Sequence, residues 1–402
     1  MANAGMLPGD LVVVRTIAPE LVMEQPVAET LGFQQDTGAP AYTTNNARNI
    51  SISPDGSQIV VVQYGSTPYV RVFPGDGSTS FQIPTGTGAA QAAVRVAFHP
   101  SGSEFAVSLL TTPFYVRIDS ATLAALPPFS VLPPTGTHAL SYSPDGRYLA
   151  FAYNATNNPC YIVYDLIAGA AVTGLPALAG PTASIEFVTN THLLIQQRIA
   201  GTSPQVLDMG TKAFLSILPA LPTIGNTGYQ LQTKRSPDLS RFALCLGASP
   251  YIAIISASTW QVQLTGPFPS MENTPIVSLD WIGNDVLSIF QTSARTYDLS
   301  GASPVFLGMG TLAPANNNVM AAVPGGGKFH FAGIVNDGAT TFLERKIGAV
   351  DRATGRNLGE TTSLPDGSFS LSVFSPRPAI LYCVGENGET TQLADDVTPV
   401  PA

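Results

Sequence analysis

Ser53-Pro54-Asp55-Gly56, His99-Pro100-Ser101-Gly102 and Ser143-Pro144-Asp145-Gly146 decide the fold. Their prolines, at 54, 100 and 144, stand 46 and 44 residues apart, and each turn lies between two alternating apolar runs. The turn chemistry has a mechanism. Proline presets φ near −65°, the Asp or Ser side chain bonds its own backbone, and glycine accepts the positive φ that closes the turn. Stepping on by the same interval reaches Val188-Thr189-Asn190, Ser236-Pro237-Asp238, Ile282-Gly283-Asn284, Val323-Pro324-Gly325 and Ser375-Pro376-Arg377. All are turn-forming, and together they make eight repeats.

Each turn is preceded by a period-two run (Ile50 to Ser53, Val94 to Phe98, Ala139 to Tyr142, Ile276 to Trp281) and followed by a more apolar one (Gln58 to Val62, Glu104 to Leu109, Tyr148 to Ala152, Arg241 to Leu246). Alternation with β-branched and aromatic enrichment reads as strand, so the two runs form a hairpin. A third run follows a second proline, in Thr67-Pro68-Tyr69, Thr112-Pro113-Phe114, Asn158-Pro159-Cys160, Ser203-Pro204-Gln205 and Ser249-Pro250-Tyr251, at 14, 13, 15, 16 and 13 residues past the turn position. It closes on acidic turns at Asp119, Asp165, Asp208, Asp298 and Asp351. A weaker fourth run then returns, as in Phe81 to Ile83, Phe129 to Leu132, Phe214 to Leu218, Val262 to Leu264 and Val305 to Leu307. Four antiparallel strands at a period of roughly 40 to 45 residues is the pattern of a β-propeller blade.

The chain thus resembles WD-repeat-type β-propellers, with Tyr164-Asp165 and Tyr297-Asp298 standing where Trp-Asp would. The order Ser-Pro-Asp-Gly, Pro-Tyr, Tyr-Asp is similar to that of degenerate bacterial and viral propellers, in particular virion proteins of tailed bacteriophages. The expected fold is all-β: a single closed propeller of four-stranded antiparallel blades. Eight blades are favoured, with seven if Val188 or Ile282 does not mark a true blade. The last repeat offers Ser368 to Phe374, Ala379 to Val384 and Thr390 to Leu393 but no fourth strand. Leu11 to Arg15 or Leu21 to Glu24 would supply it, clasping the ring and covering an edge that a sheet must not leave open. The expected organisation is an N-terminal arm over residues 1–45 that includes the clasping strand, a propeller over 46–396 and a tail over 397–402.

Composition narrows the function. Of 402 residues 11% are charged, against about 25% in an average soluble domain, and 18 Lys and Arg against 27 Asp and Glu leave a net charge of −9. No basic footprint invites nucleic acid. The 37 glycines and 34 prolines stay below the roughly 25–30% at which composition signals disorder. No apolar run approaches the roughly 18 residues of a membrane helix, and the first eleven residues carry neither the positive charge nor the apolar stretch of a secretory signal. If the resemblance to phage virion proteins holds, the expected location is the virion, and otherwise the cytoplasm, with no membrane partner.

Reactive residues are few. Cys160, Cys245 and Cys383 lie far apart in apolar runs and read as buried thiols. His99, His138, His192 and His330 fall in different parts of the repeat without metal-ligand spacing. Gly325-Gly326-Gly327-Lys328 lacks the loop length of a phosphate cradle, and Asn49-Ile50-Ser51 and Asn154-Ala155-Thr156 match a glycosylation pattern only by composition. No cofactor or metal is expected. The innermost strands carry mostly Ser, Ala, Leu and Val, with Arg95, Glu186 and Asp280 as charged exceptions.

The favoured function is a non-enzymatic scaffold that binds other proteins, as a tail-, fibre- or capsid-associated virion component present in many copies or as a homo-oligomer. A propeller hydrolase or lactonase is the alternative, and a carbohydrate-binding propeller using Trp260 or exposed tyrosines is a third. The expected contact face carries Pro68, Tyr69, Pro113, Phe114, Tyr161 and Tyr251, because rings on preset backbones lose little entropy when docked.

Overall fold

The computed structural model describes residues 11–14, 21–27, 32–35, 47–63, 70–74, 81–82, 93–153, 159–178, 180–197, 199, 202–215, 232–246, 249–274, 276–291, 293–309, 319–322, 329–334, 345–352, 357–373, 377–384 and 390–401. Among them every regular element is a β-strand and every pairing is antiparallel. Blade 1 runs Ala47–Ile52, Gln58–Gln63, Val70–Pro74, Phe81–Gln82. Blade 2 has Ala93–Phe98, Glu104–Leu109 and Tyr115–Asp119, and blade 3 has Thr137–Tyr142, Tyr148–Tyr153, Tyr161–Asp165 and Ala170–Ala171. Blade 4 (Thr182–Phe187 to Ala213–Leu215), blade 5 (Thr233–Arg235 to Val262–Thr265) and blade 6 (Ser278–Trp281 to Val305–Met309) repeat the same meander.

The seventh blade is composite. Its inner strand, Val319–Ala322, pairs with Leu11–Val14 in the register Leu11↔Ala322 to Val14↔Val319, and Leu21–Val27 and Gly32–Gln35 follow outward. Val319–Ala322 adjoins the inner strands of both blade 6 and blade 1, and each other inner strand adjoins the next, so seven inner strands form a continuous ring. This corrects three expectations. The ring has seven blades rather than eight; the N-terminal segment gives three strands; and its partner is Val319–Ala322, not Ala379 to Leu393. The doubtful turns are true hairpins, with Val188 N donating to His192 O (3.0 Å) and Ile282 N to Val286 O (2.8 Å). The surplus repeat is the last one.

Residues beyond the ring form two further sheets. Ser368–Val373, Phe329–Ile334 and Val400–Pro401 make one, and Asn357–Thr362, Lys346–Asp351, Ala379–Val384 and Thr390–Val397 the other. Phe331, Ile347, Leu358, Leu371, Val373 and Leu381 form a core of their own between them. The expected propeller boundary at 396 and the tail from 397 are therefore displaced: the ring ends at Ala322, and Val400 pairs with His330. Period two reports only that a strand has two faces; it does not name the partner.

The turns behave as their chemistry requires. In blade 1 the Ser53 hydroxyl donates to Asp55 Oδ1 (2.6 Å), Ser57 N donates to the same oxygen (3.0 Å), Gln58 N donates to Ser53 Oγ (2.8 Å), and Gly56 takes φ 72°. Ser143–Asp145 and Ser236–Asp238 repeat the 2.6 Å bond. The Ser53 hydroxyl, with the Ser57 N–H, holds the Asp55 carboxyl below its usual 3.8. Burial opposes the same lowering at Asp238, but the Ser236 hydroxyl and Ser240 N–H prevail. Asp366, in the turn before Ser368–Val373, is lowered by Ser368. A carboxylate whose folded pKa is depressed stabilises the fold above its unfolded pKa and loses that contribution as pH falls through the folded value. The melting temperature is thus expected to be level from pH 7 to about 5 and to drop steadily below about pH 4. A melting temperature unchanged down to pH 2.5 would refute this account of the turns.

Candidate interaction face and central channel

In a four-stranded meander the turn between strands two and three shares a face with the connection to the next blade. On blade 2 that turn is Thr111 to Phe114: Phe114 N donates to Thr111 O (2.8 Å), Leu109 N donates to Phe114 O (2.8 Å), and Phe114 sits at φ 69°. On blade 5 Leu246 N donates to Tyr251 O (2.9 Å) and Tyr251 sits at φ 65°. Pro113, Phe114 and Tyr251 are half-buried. The Tyr251 hydroxyl donates to Asn273 Oδ1 (2.7 Å). Pro68 and Tyr69 lie outside the described residues.

Tyr161 is not on this face. It is 2% exposed, and its hydroxyl donates to Pro176 O (2.7 Å). The register explains the misplacement. Phe114 and Tyr251 follow their proline directly, whereas Cys160 follows Pro159, so Tyr161 is the counterpart of Tyr115, the buried first residue of strand three. Tyr115 is likewise 2% exposed and accepts from Phe129 N (2.7 Å).

A feature of the same face was not legible as such. Phe129 to Leu132, expected as the fourth strand of blade 2, does not form one; the third strand is met only by the bridge Ile118↔Ala125. Pro127, Pro128, Pro133 and Pro134 bracket the segment and supply no N–H for a ladder. Phe129 turns inward and stacks on Tyr164 at 4.1 Å, while Val131 and Leu132 stand 50% and 40% exposed. The segment adjoins the Phe114 turn, because Gly136 passes so close to Leu110 that a Cβ would lie 2.4 Å from Leu110 O, and Thr137 Oγ1 donates to Phe114 O.

The inner strands of blades 1 to 5 enclose a channel cavity of about 420 Å³, lined by Asn49, Arg95, Ser141, Glu186, Lys234 and Arg235 among others. Arg235 Nη1 donates to Tyr142 O (2.9 Å) and Phe187 O (2.8 Å) and lies 3.4 Å from Glu186 Oε1, tying blade 5 to blades 3 and 4. Lys234 lies 3.9 Å from Asp280. Burial raises the Glu186 carboxyl above its ordinary value, against the pull of Arg235 and Lys234. Arg95, on blade 2, is 8% exposed.

The remaining reactive residues are accounted for by packing. His99 Nε2 pairs with Gly146 O (3.0 Å) and its Nδ1 with Ser101 Oγ (2.7 Å), so it bolts blade 2 to blade 3. His192 pairs with Thr189 Oγ1 (2.8 Å) and meets the Trp260 ring, which also packs on Phe242. Trp260 is therefore not a bare stacking platform. All three cysteines are buried, and burial pushes the Cys245 thiol up to about 12. Among the described residues no three His, Cys, Asp or Glu side chains gather as a metal-sized group.

No family model matches the chain, and no curated protein matches it significantly. Solved structures do. The structure entitled RRP9 WD40 repeats has TM-score 0.54 at 12% identity, covering 79% of this chain and 88% of that one. The structure of U3-55K has TM-score 0.53 at 11% identity, covering 69% and 84%. A chain of the mitotic checkpoint complex has TM-score 0.52 at 13% identity, covering 67% and 78%. At such identities the likeness speaks for fold alone, and with the ring of antiparallel blades it establishes that the chain has the WD-repeat-type β-propeller fold.

Proposed function

We propose that the protein is a non-enzymatic scaffold holding other proteins on the face of the strand-two-to-three turns. The observation that carries this reading is the exposed pair Val131 and Leu132, 50% and 40% accessible on a segment framed by prolines beside Phe114. Aliphatic side chains on a stiff backbone bury area at low entropic cost, which is how rigid interfaces gain affinity. One of the similar structures is a chain of a multiprotein checkpoint complex, which supports the use of this fold in assemblies. The finer reading, a virion component of a tailed bacteriophage present in many copies, rests on the 11% charge content and the Ser-Pro-Asp-Gly repeat style. Sparse charge suits contacts that salt does not screen.

Purified particles test both levels. The chain is expected in the particles and should stay bound from 0.1 M to about 1 M NaCl, over which the Debye length falls from about 10 to 3 Å. Val131→Asp with Leu132→Asp is expected to weaken attachment at least tenfold, about 1.4 kcal/mol, without altering the melting curve. Absence from particles refutes the virion reading. Release by salt, or full attachment of the double variant, refutes the apolar face, and metal-dependent hydrolysis of lactones or esters refutes a non-enzymatic role.

A further inference from the structure

Among the described residues, one cation lining the channel stands without a matching acceptor at its Nη1. Of the three cations lining the cavity, Arg235 is matched by Glu186 and two carbonyls, and Lys234 by Asp280. Arg95 has no such match: it is 8% exposed, and its Nη1 is buried without a hydrogen-bond partner. Burial lowers its pKa to about 10, with the like charge of Arg48 adding to the effect, so it still carries its proton at neutral pH.

The repeat shows that this arginine is not there to hold blades together. Four residues before the first residue of each turn (Ser53, His99, Ser143, Val188, Ser236 and Ile282) stand Asn49, Arg95, Ala139, Ser184, Gln232 and Ser278 in blades 1 to 6. Asn49 Oδ1 accepts from Val96 N (2.9 Å) and Gln232 Oε1 from Leu279 N (3.4 Å), so at this position an acceptor can bind each blade to its successor. A guanidinium has five donors and no acceptor, and cannot replace them. A chain with only 18 basic residues thus keeps one of them buried with its Nη1 unpartnered, where an amide, alanine or serine serves the other blades among blades 1 to 6. An uncompensated buried charge is strongly destabilising unless a partner arrives.

The geometry points to the central channel as a binding site for a small oxyanion, a phosphate- or carboxylate-bearing molecule whose oxygens pair with the Arg95 guanidinium. Planar forked donors suit either group. A cavity of about 420 Å³ admits an organic anion as well as an inorganic one. This site is independent of the apolar face and of the scaffold reading.

Calorimetric titration of the full chain with inorganic phosphate and, separately, with citrate tests it, against chloride at matched ionic strength. Saturable binding of one equivalent is expected, and which anion binds identifies the group. Arg95→Met should weaken binding at least tenfold, whereas Arg147→Met, on the surface beside Asp165, should leave it unchanged. In chloride, Arg95→Met is expected to melt at or above the wild type; a large fall would mean that the fold already satisfies Arg95 and would overturn the proposal. The wild type needs no variant: at a hundred times Kd the anion should raise its melting temperature by about 3–5 °C beyond chloride. No saturable binding of either anion, an equal rise in chloride, or undiminished binding by Arg95→Met overturns the proposal.

Discussion

Deleting residues 1–35 is expected to prevent the ring from folding. Leu11–Val14, Leu21–Val27 and Gly32–Gln35 are three of the four strands of blade 7, so the deletion leaves Val319–Ala322 as a single strand between blades 6 and 1. That strand would lose the whole register from Leu11↔Ala322 to Val14↔Val319 and expose an open edge. A typical domain is stable by only roughly 5–15 kcal/mol, a small margin against which to lose three paired strands. The expected result is insoluble or non-cooperatively melting protein, rescued when residues 1–35 are supplied as a separate chain. Truncation after Ala322 is the contrasting case. The two C-terminal sheets carry their own core of Phe331, Leu371 and Leu381, so their removal should leave a cooperative melt. A chain lacking 1–35 that melts at the wild-type midpoint would show that blade 7 does not close the ring.

What the sequence disclosed follows from which interactions are local. The hairpin turns were legible because Ser53, Asp55 and Gly56 satisfy one another within a few residues, and even the proline-free turns at Val188 and Ile282 proved true. Strand pairing across the molecule was not legible. The Pro365-Asp366-Gly367 turn has the same bonds, Gly367 N to Leu364 O and Ser368 N to Asp366 Oδ1, yet it joins strands that belong to different sheets. A turn signal fixes a reversal of the chain and nothing about its neighbours.

The candidate sites divide in the same way. A one-residue offset after Pro159, where Cys160 stands in the place of Phe114 and Tyr251, carried Tyr161 from the expected face into the core, an offset visible in the residue that follows each proline. Prolines on both sides of Phe129 to Leu132 were visible too, and they explain why that run is an exposed segment and no strand. Arg95 stood out from the sequence as a charged residue among small ones. The unpartnered state of its Nη1 did not, because which described groups come to face a buried charge is a property of the assembled ring.

Glu104 carries the second large effect. It is 8% exposed at the start of strand two of blade 2, where Arg117 Nε donates to Oε1 (3.0 Å), Arg117 Nη2 donates to Oε2 (2.5 Å), and the Tyr142 hydroxyl of blade 3 donates to Oε1 (2.8 Å). Arg117 also lies over the Phe129 ring, 4.8 Å from its centre. Burial alone would depress the Arg117 pKa, but Glu104 more than offsets it; burial, aided by Glu104, raises that of Tyr142. Glu104→Leu leaves a half-buried cation and a buried hydroxyl without an acceptor, and is expected to cost about 3–5 kcal/mol. Tyr142→Phe removes one hydrogen bond and should cost about 1–2 kcal/mol. Replacing both ions, Glu104→Leu with Arg117→Met, should recover most of the loss, because an apolar pair of similar volume removes the desolvation cost along with the attraction. Urea unfolding of the wild type, Glu104→Leu, Arg117→Met and the double variant gives the coupling energy directly, since residues in one network do not add. A Glu104→Leu chain within about 1 kcal/mol of wild type, or a double variant no better than Glu104→Leu alone, would mean that packing of Phe129 and Tyr142 rather than the Glu104 network holds blade 2 together and to blade 3.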